Sequence, residues 1–318
     1  MVGVVSLNVC GLPSGLAPVR DRAVEFCRRI EESGAEVVNF QEVWTRRLLA
    51  LLRGRLPSFG SVAWRRGVAG LPAGGLVSFS RLPLGPASFT SFRGARPAAG
   101  TPLFRGLKAV NSRLQGVLTF ELLGRRAVVG NAHLSANRDG DWSADNRHHR
   151  FQRAQLVALH EALRRAGRAD TEVTILAGDL NVPSDCPLYP LVIDGGTWRD
   201  PFGAGDQPTY HAELLPPGRP ARRIDYLLVR ADPLRYPVDA AALLLAEPVP
   251  LAGRPRAFLS DHVALTARVT LPVAPDAAAP DAAAPDAAAP DAAGSDAAAP
   301  DAAGSDAAGP GSVAGPGD

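Results

Sequence analysis

The sequence predicts an α/β fold: one large domain of two β-sheets with flanking helices over residues 1–273, and a disordered tail over 274–318. Three observations predict it. Strand and helix patterns alternate through the first fifty residues, short β-like runs dominate the middle, and the composition changes abruptly at Ala274.

Residues 2–7 are β-branched and apolar and run into Asn8, Gly11 and Pro13, the pattern of a buried strand and its loop. A helix follows over 21–32, with Ala23, Phe26, Cys27 and Ile30 at helical spacing and Gly34 as its stop. Residues 36–40 make a second strand ending at Gln41 and Glu42, and Thr45 is placed to N-cap a Leu-rich helix through Leu52. Strand, helix, strand, helix opens an α/β layer arrangement. Residues 61–64, 75–79, 115–122 and 126–130 then read as strands. Between them, 81–106 reads as a long loop rich in Pro and Gly, where Phe89, Phe92 and Phe104 interleave with Arg93, Arg96 and Arg105. Such a mixture suits a lipid surface or unpaired bases, or is an insertion with a few tucked aromatics. A polar loop after His133 leads to a helix over 143–165, with Leu156, Leu159 and Leu163 on one face and His148 and His149 at its solvated start. Strands over 171–177, 224–230 and 263–269 complete the domain, the last two separated by a loose Pro- and Ala-rich segment. No linker interrupts residues 1–273.

From Ala274 the chain is Ala, Pro, Asp, Gly and Ser, with Val313 as its one branched aliphatic residue, too little apolar surface to offset chain entropy. The whole chain sets 34 cationic side chains against 32 acidic ones; the tail takes eight Asp and no cation, so residues 1–273 carry 34 against 24, a net +10. A basic body suits an anionic partner such as phosphate, nucleic acid or an acidic membrane surface. Cys10, Cys27 and Cys186 are odd in number and widely spaced, which fits neither a disulfide framework nor a zinc site. With no signal-like start and no apolar run near the roughly 20 residues of a membrane span, a cytoplasmic protein is expected.

Polar residues gather where the strands stop. Asn8 ends the first, Glu42 follows the second, and His133 follows Val128-Val129-Gly130. Asp179 and Asn181 follow Ile175, Asp225 sits early in its strand, and Asp261-His262 precedes the last one. On an extended chain Asp179 and Asn181 would point to one side, aimed at phosphate or a metal-bound water. The same pair also fits a plain Asx turn.

Taken in order, Asn8 with Gly11, Gln41-Glu42-Val43-Trp44, Asn131-Ala132-His133, Gly178-Asp179-Leu180-Asn181, Arg223-Ile224-Asp225-Tyr226 and Ser260-Asp261-His262 resemble the endonuclease/exonuclease/phosphatase (DNase I-like) superfamily over nearly all of residues 3–270. Within it the chain looks most like the neutral sphingomyelinases, through Gln41-Glu42-Val43-Trp44, Gly75-Leu76-Val77-Ser78-Phe79-Ser80-Arg81-Leu82-Pro83 and His133-Leu134-Ser135-Ala136. Cys10 departs from the nuclease pattern, which has an acid there. The resemblance implies a four-layer α/β sandwich, two mainly antiparallel sheets flanked by helices. It implies a phosphodiesterase using Mg²⁺, with Mn²⁺ as the alternative ion, on a phospholipid rather than nucleic acid, as a monomer with peripheral membrane contact.

Residue by residue, it implies His262 as general base with Asp225 as its partner, and Asp179 and Asn181 positioning water and phosphate. His133 would stabilise developing charge or assist the leaving group. Glu42, Asn8 and Asp261 would hold the metal, and Lys108 and Asn131 would touch the substrate. Lys108 is the one lysine among 33 arginines. Two alternatives remain: the same chemistry on nucleic acid or a soluble phosphate ester, and a non-catalytic binding module that kept the fold.

Overall fold

The computed structural model describes residues 1–273 other than 13, 98, 204–206 and 252; the tail expected over 274–318 lies outside them. β1 (Val2–Asn8), α1 (Val19–Glu32) and β2 (Val37–Gln41) form a unit in which the two strands run parallel. α2 (Arg46–Arg55), β3 (Ser61–Ala63), β4 (Val77–Ser80) and β5 (Ser88–Ser91) follow. Next come α3 (Pro102–Leu114) and β6 (Gly116–Leu122). β7 (Ala127–His133), α4 (His149–Ala166) and β8 (Val173–Asp179) then form a second parallel unit. The chain continues through α5 (Tyr189–Val192), β9 (Asp225–Arg230), β10 (Val238–Leu244), a hairpin of β11 (Val249–Leu251) and β12 (Arg254–Ala257), and β13 (Ala264–Val269).

One sheet has the order β10-β13-β1-β2-β4-β3 and the other β5-β6-β7-β8-β9. Side chains alternate across each strand, and both faces of the central strands are apolar, as strands covered on both sides require. In β1, Val4 joins Leu118, Val129 and Ile175 in the core between the sheets, while its neighbour Val5 joins Phe26, Ile30 and Leu52 under α1 and α2. α4 covers the other sheet, its Phe151, Leu156, Leu159 and Leu163 packing on Leu176, Tyr226 and Leu228. The result is the expected four-layer sandwich.

Three expectations need correction. The stretch 81–106 is not a single loop: it contains β5 and the first turns of α3. Thr101 caps α3 by accepting from the Phe104 amide, and Pro102 suits the first helical position, so capping outweighs Gly106. The segment between β9 and β13 contains three further strands, where Ala and Pro had hidden any alternation. Finally, α4 begins at His149, later than 143, and His148 is not solvated. It is 2% exposed, with the Phe104 ring edge-on at 5.0 Å and its Nε2 3.4 Å from an Asp139 carboxylate oxygen.

Candidate active site

The site lies where β1, β2, β7 and β8 end. Parallel pairing puts Asn8 beside Gln41 and His133 beside Asp179, so each sheet delivers two strand ends to one edge. Three residues leave these ends through left-handed backbone, Cys10 (φ 48°), Glu42 (φ 63°) and Asn181 (φ 50°). Such conformations cost roughly 1–3 kcal/mol each for non-glycine residues and persist where the surroundings hold them. Asn8 Oδ1 accepts from the Cys10 amide at 3.0 Å, and Gln152 Nε2 donates to the Asn181 carbonyl at 2.7 Å. Gly11 is needed because a Cβ there would overlap the Glu42 carbonyl oxygen. Behind them Arg22, 1% exposed, donates to the carbonyls of Val9, Cys10, Ala17 and Leu259 at 2.7–2.8 Å. It ties the loop after Asn8 to the segment that carries Asp261 and His262.

Asp179 is the centre. Its Oδ2 accepts from Asn8 Nδ2 at 3.0 Å and lies 3.5 Å from His133 Nε2 and 3.7 Å from His262 Nε2. Its Oδ1 accepts from the Asn181 amide at 2.9 Å, so the Asx turn and the cleft-facing carboxylate are both present. Asn181 lies beyond the strand and does not follow its alternation.

His262 Nδ1 is 2.9 Å from Asp225 Oδ2, which also accepts from Thr209 Oγ1 at 2.6 Å. With Nδ1–H donating to Asp225, Nε2 is left toward the cleft. Burial works against the charged imidazolium of His262, but the Asp225 and Asp179 carboxylates outweigh it and hold its pKa well above the ordinary value. Burial pushes Asp179 up to about 6, while His262 and His133 pull it back.

A cleft of about 430 Å³ opens over this cluster, lined by Glu42, His133, Asp179, Asn181, Asp261 and His262 among others. Its walls include Trp142, Leu215 and Ile224, and Arg138 and Arg219, which pair with no carboxylate among the described residues. A groove of about 520 Å³ between α1 and α2 is larger, but Val19, Arg20, Thr45, Arg47, Leu48 and Leu51 offer no acid or imidazole, so the chemistry belongs to the cleft.

Eight of the ten residues singled out by sequence converge here, and two do not. The Asn131 side chain is fully buried: it accepts from Gln41 Nε2 at 2.8 Å and donates to the Phe40 and Val77 carbonyls at 3.0 and 3.3 Å. It joins the two sheets instead of reaching a substrate. Lys108 Nζ donates to the Ala136 carbonyl at 2.8 Å, holding a wall of the cleft from outside. Burial, then the nearby Arg138, bring its pKa down to about 8.

Asn8 differs in role. Its oxygen is held by Cys10, and its amide nitrogen faces Glu42 Oε1 at 3.4 Å and Asp179, so it orients carboxylates more than it offers a ligand. Asp179, Asp225 and His262 also bring potential ligand atoms within 4.8 Å of one another. Those atoms are engaged with each other and with Thr209, the pattern of a proton relay. Glu42 is better suited to a cation: among the described residues its carboxylate has the one long bond from Asn8.

Sequence reasoning missed Thr209, Tyr210 and Arg22. Tyr210 sits edge-on to His262 at 5.0 Å and donates to Asp261 Oδ2 at 3.2 Å. No spacing marks residues 209 and 210, whose backbone pairs with 261–263 only in the folded chain. Arg22 did leave a signal: it falls on the apolar face of its helix, three residues after Val19 and four before Phe26.

The Endonuclease/Exonuclease/phosphatase family matches residues 5–262. No curated protein matches the chain. Among solved structures, a sphingomyelinase C from Streptomyces griseocarneus is similar in fold at 18% identity, with a TM-score of 0.62, covering 84% of this chain and 98% of that one. A Staphylococcus aureus beta toxin mutant with bound magnesium ions gives 17%, 0.62, 84% and 98%. D. rerio TDP2 complexed with a single-strand DNA product gives 18%, 0.59, 85% and 98%. The family match runs from β1 to His262 and takes in every strand end that feeds the cleft: the chain belongs to the Endonuclease/Exonuclease/phosphatase family and is a phosphoric ester hydrolase.

Proposed function

We propose that the chain hydrolyses the phosphodiester of a phospholipid, sphingomyelin or a relative, with Mg²⁺ as cofactor and Mn²⁺ as the alternative ion. The observation that carries this reading is the run of contacts Thr209–Asp225–His262–Asp179–Asn8–Glu42, with an oriented imidazole near one end and a carboxylate at the other. Hydrolysis needs water in line with the leaving oxygen while charge develops on the phosphoryl oxygens, and positioning and electrostatics supply most of the acceleration.

In its deprotonated form His262 would take the water proton at Nε2, and Asp225 would stabilise the imidazolium formed. Asp179 would align the water. Asn181 uses one Nδ2 hydrogen on the Leu134 carbonyl at 3.0 Å, which leaves the other for a phosphoryl oxygen. His133 would meet the leaving group. Glu42 and Asp261 offer hard oxygen donors that suit Mg²⁺, with Asn8 fixing the Glu42 carboxylate. When bound, the ion supplies Lewis-acid polarisation of a phosphoryl oxygen.

Support for a lipid comes from the sphingomyelinase C likeness and from Trp142, Leu215 and Ile224 in the cleft lining, which suit an apolar chain beside the headgroup. Nucleic acid is the second reading, favoured by Arg138 and Arg219 in the lining and by the TDP2 complex. A cytoplasmic monomer belongs to the proposal, and three free, buried cysteines suit the reducing compartment.

The test offers the protein with Mg²⁺, then EDTA, to sphingomyelin vesicles and to supercoiled plasmid. Phosphocholine release that EDTA abolishes, and that His262→Ala lowers by about 10²-fold or more, is the expected result. Nicking without phosphocholine release would replace the lipid reading, and full activity in His262→Ala would remove that residue as the base.

A further inference from the structure

α3 faces the wrong way for a helix that only covers a core. Ser112 is its one fully buried residue, whereas Leu103, Leu107, Val110 and Leu114 are 73%, 59%, 53% and 41% exposed. At 3.6 residues per turn these four fall in a strip about 60° wide, a continuous aliphatic ridge on the outside of the protein.

The charge around the ridge is one-sided. Arg93, Arg96, Arg105 and Arg113 are exposed, and residues 82–120 hold no Asp or Glu. A 13-residue helix is about 20 Å long. One ridge of that length falls well short of the roughly 1,000 Å² that a stable protein interface buries. A lipid surface asks for less: an aliphatic face that enters the headgroup–acyl boundary, and cations that meet anionic lipid.

The inner face of α3 is fastened to the cleft. Lys108 Nζ donates to the carbonyl of Ala136, a cleft-lining residue, at 2.8 Å. The Phe104 ring meets His148 edge-on, and the Arg147 guanidinium lies 4.4 Å from its centre, both residues closing the loop that carries Trp142. Helix and cleft wall therefore form one side of the molecule.

We propose that α3 is a lipid-docking helix that lies flat on an anionic phospholipid bilayer, with Leu103, Leu107, Val110 and Leu114 in the boundary and the mouth of the cleft beside it. Its use in catalysis rests on the phospholipid reading above, but the binding itself is measured without turnover.

The experiment compares the full chain with the double variant Leu103→Ser, Leu107→Ser in sedimentation with vesicles of phosphatidylcholine, sphingomyelin and phosphatidylserine. Both proteins are also assayed on the water-soluble diester bis-p-nitrophenyl phosphate, and their mass in solution is measured. The expected result is at least a tenfold loss of vesicle partitioning in the variant, with turnover of the soluble diester unchanged. Equal partitioning of the two proteins overturns the proposal, as does a native protein that fails to sediment with vesicles. A dimer that the substitutions dissolve would assign the ridge to a second copy, and also overturns it. Vesicle binding that depends on the ridge but brings no phosphocholine release keeps the docking helix and rejects the sphingomyelin substrate.

Discussion

Two βαβ units, one in each sheet, face each other across the core, and they bring different chemistry to the same cleft. β1–α1–β2 ends in Asn8 and Glu42, an orienting amide and a carboxylate that the proposed reaction gives to a cation; β7–α4–β8 ends in His133, Asp179 and Asn181, to which the same proposal gives the leaving group, the water and the phosphate. Each is the parallel pair of an otherwise antiparallel sheet among the described strands. Parallel pairing matters because it brings two C-terminal strand ends to the same edge, whereas an antiparallel pair splits them between opposite edges. The units are stitched together by Asn8 to Asp179 at 3.0 Å and by Asn131, which accepts from Gln41 at 2.8 Å and donates to the Phe40 carbonyl at 3.0 Å.

The largest expected effect comes from breaking the division of labour. Asp179→Asn should lower kcat about 10²–10³-fold with the Mg²⁺ requirement little changed, since the water loses the carboxylate proposed to align it. Glu42→Gln should instead raise the half-saturating Mg²⁺ concentration about tenfold or more. Metal titrations of both variants decide it, and equal shifts in metal requirement would end the distinction.

A smaller effect tests the stitch. Asn131→Leu should lower stability by about 2–4 kcal/mol, read as a urea midpoint, because the Gln41 amide and the Phe40 and Val77 carbonyls lose a buried partner. An unchanged midpoint would mean that the two units hold without it.

The smallest effect concerns acid. α1 contains no histidine, whereas His148 stands just before α4 and His160 lies within it, both kept neutral by burial, His148 with its pKa brought down to about 4. The unfolded chain takes up a proton at His148 near pH 6.5, before the native state does. Its contribution is therefore intact above about pH 6.5 and is lost as pH falls toward 4. His148→Gln should lose less of its urea midpoint between pH 7 and pH 5 than the native chain. Equal losses would place the acid sensitivity elsewhere.

The strands of both units were legible in the sequence because their apolar runs end in polar residues, a pattern that survives without knowledge of the partners. Thr45 as a cap was legible for the same reason, being a local contact, and its side chain does accept from the Leu48 amide at 3.1 Å. What failed was long-range. Asn131 reads like its neighbour His133, and only the facing sheet shows that its amide is consumed by Gln41 and two carbonyls. His148 and His149 look like one exposed pair until α3 folds Phe104 over the first of them. α3 itself was hidden by Gly106 and by an aliphatic face that turns outward, opposite to what core patterning leads one to expect. Thr209 lies in a loop with no periodicity, and its importance exists only once Asp225 and His262 are beside it.

The place of β13 has a consequence for synthesis. It pairs with β1 on one side and β10 on the other, and His262 stands just before it. A ribosome delivers Asn8 and Glu42 early, but the strand that flanks β1, the Leu259 carbonyl that Arg22 grips and the imidazole all emerge some 250 residues later. Folding that begins at the N-terminus must wait for that closure across the longest sequence separations in the domain, the slow kind of contact to form. Nascent chains stalled before residue 262 carry both βαβ units but not the imidazole proposed as the base, so on that proposal hydrolysis waits for the last strand.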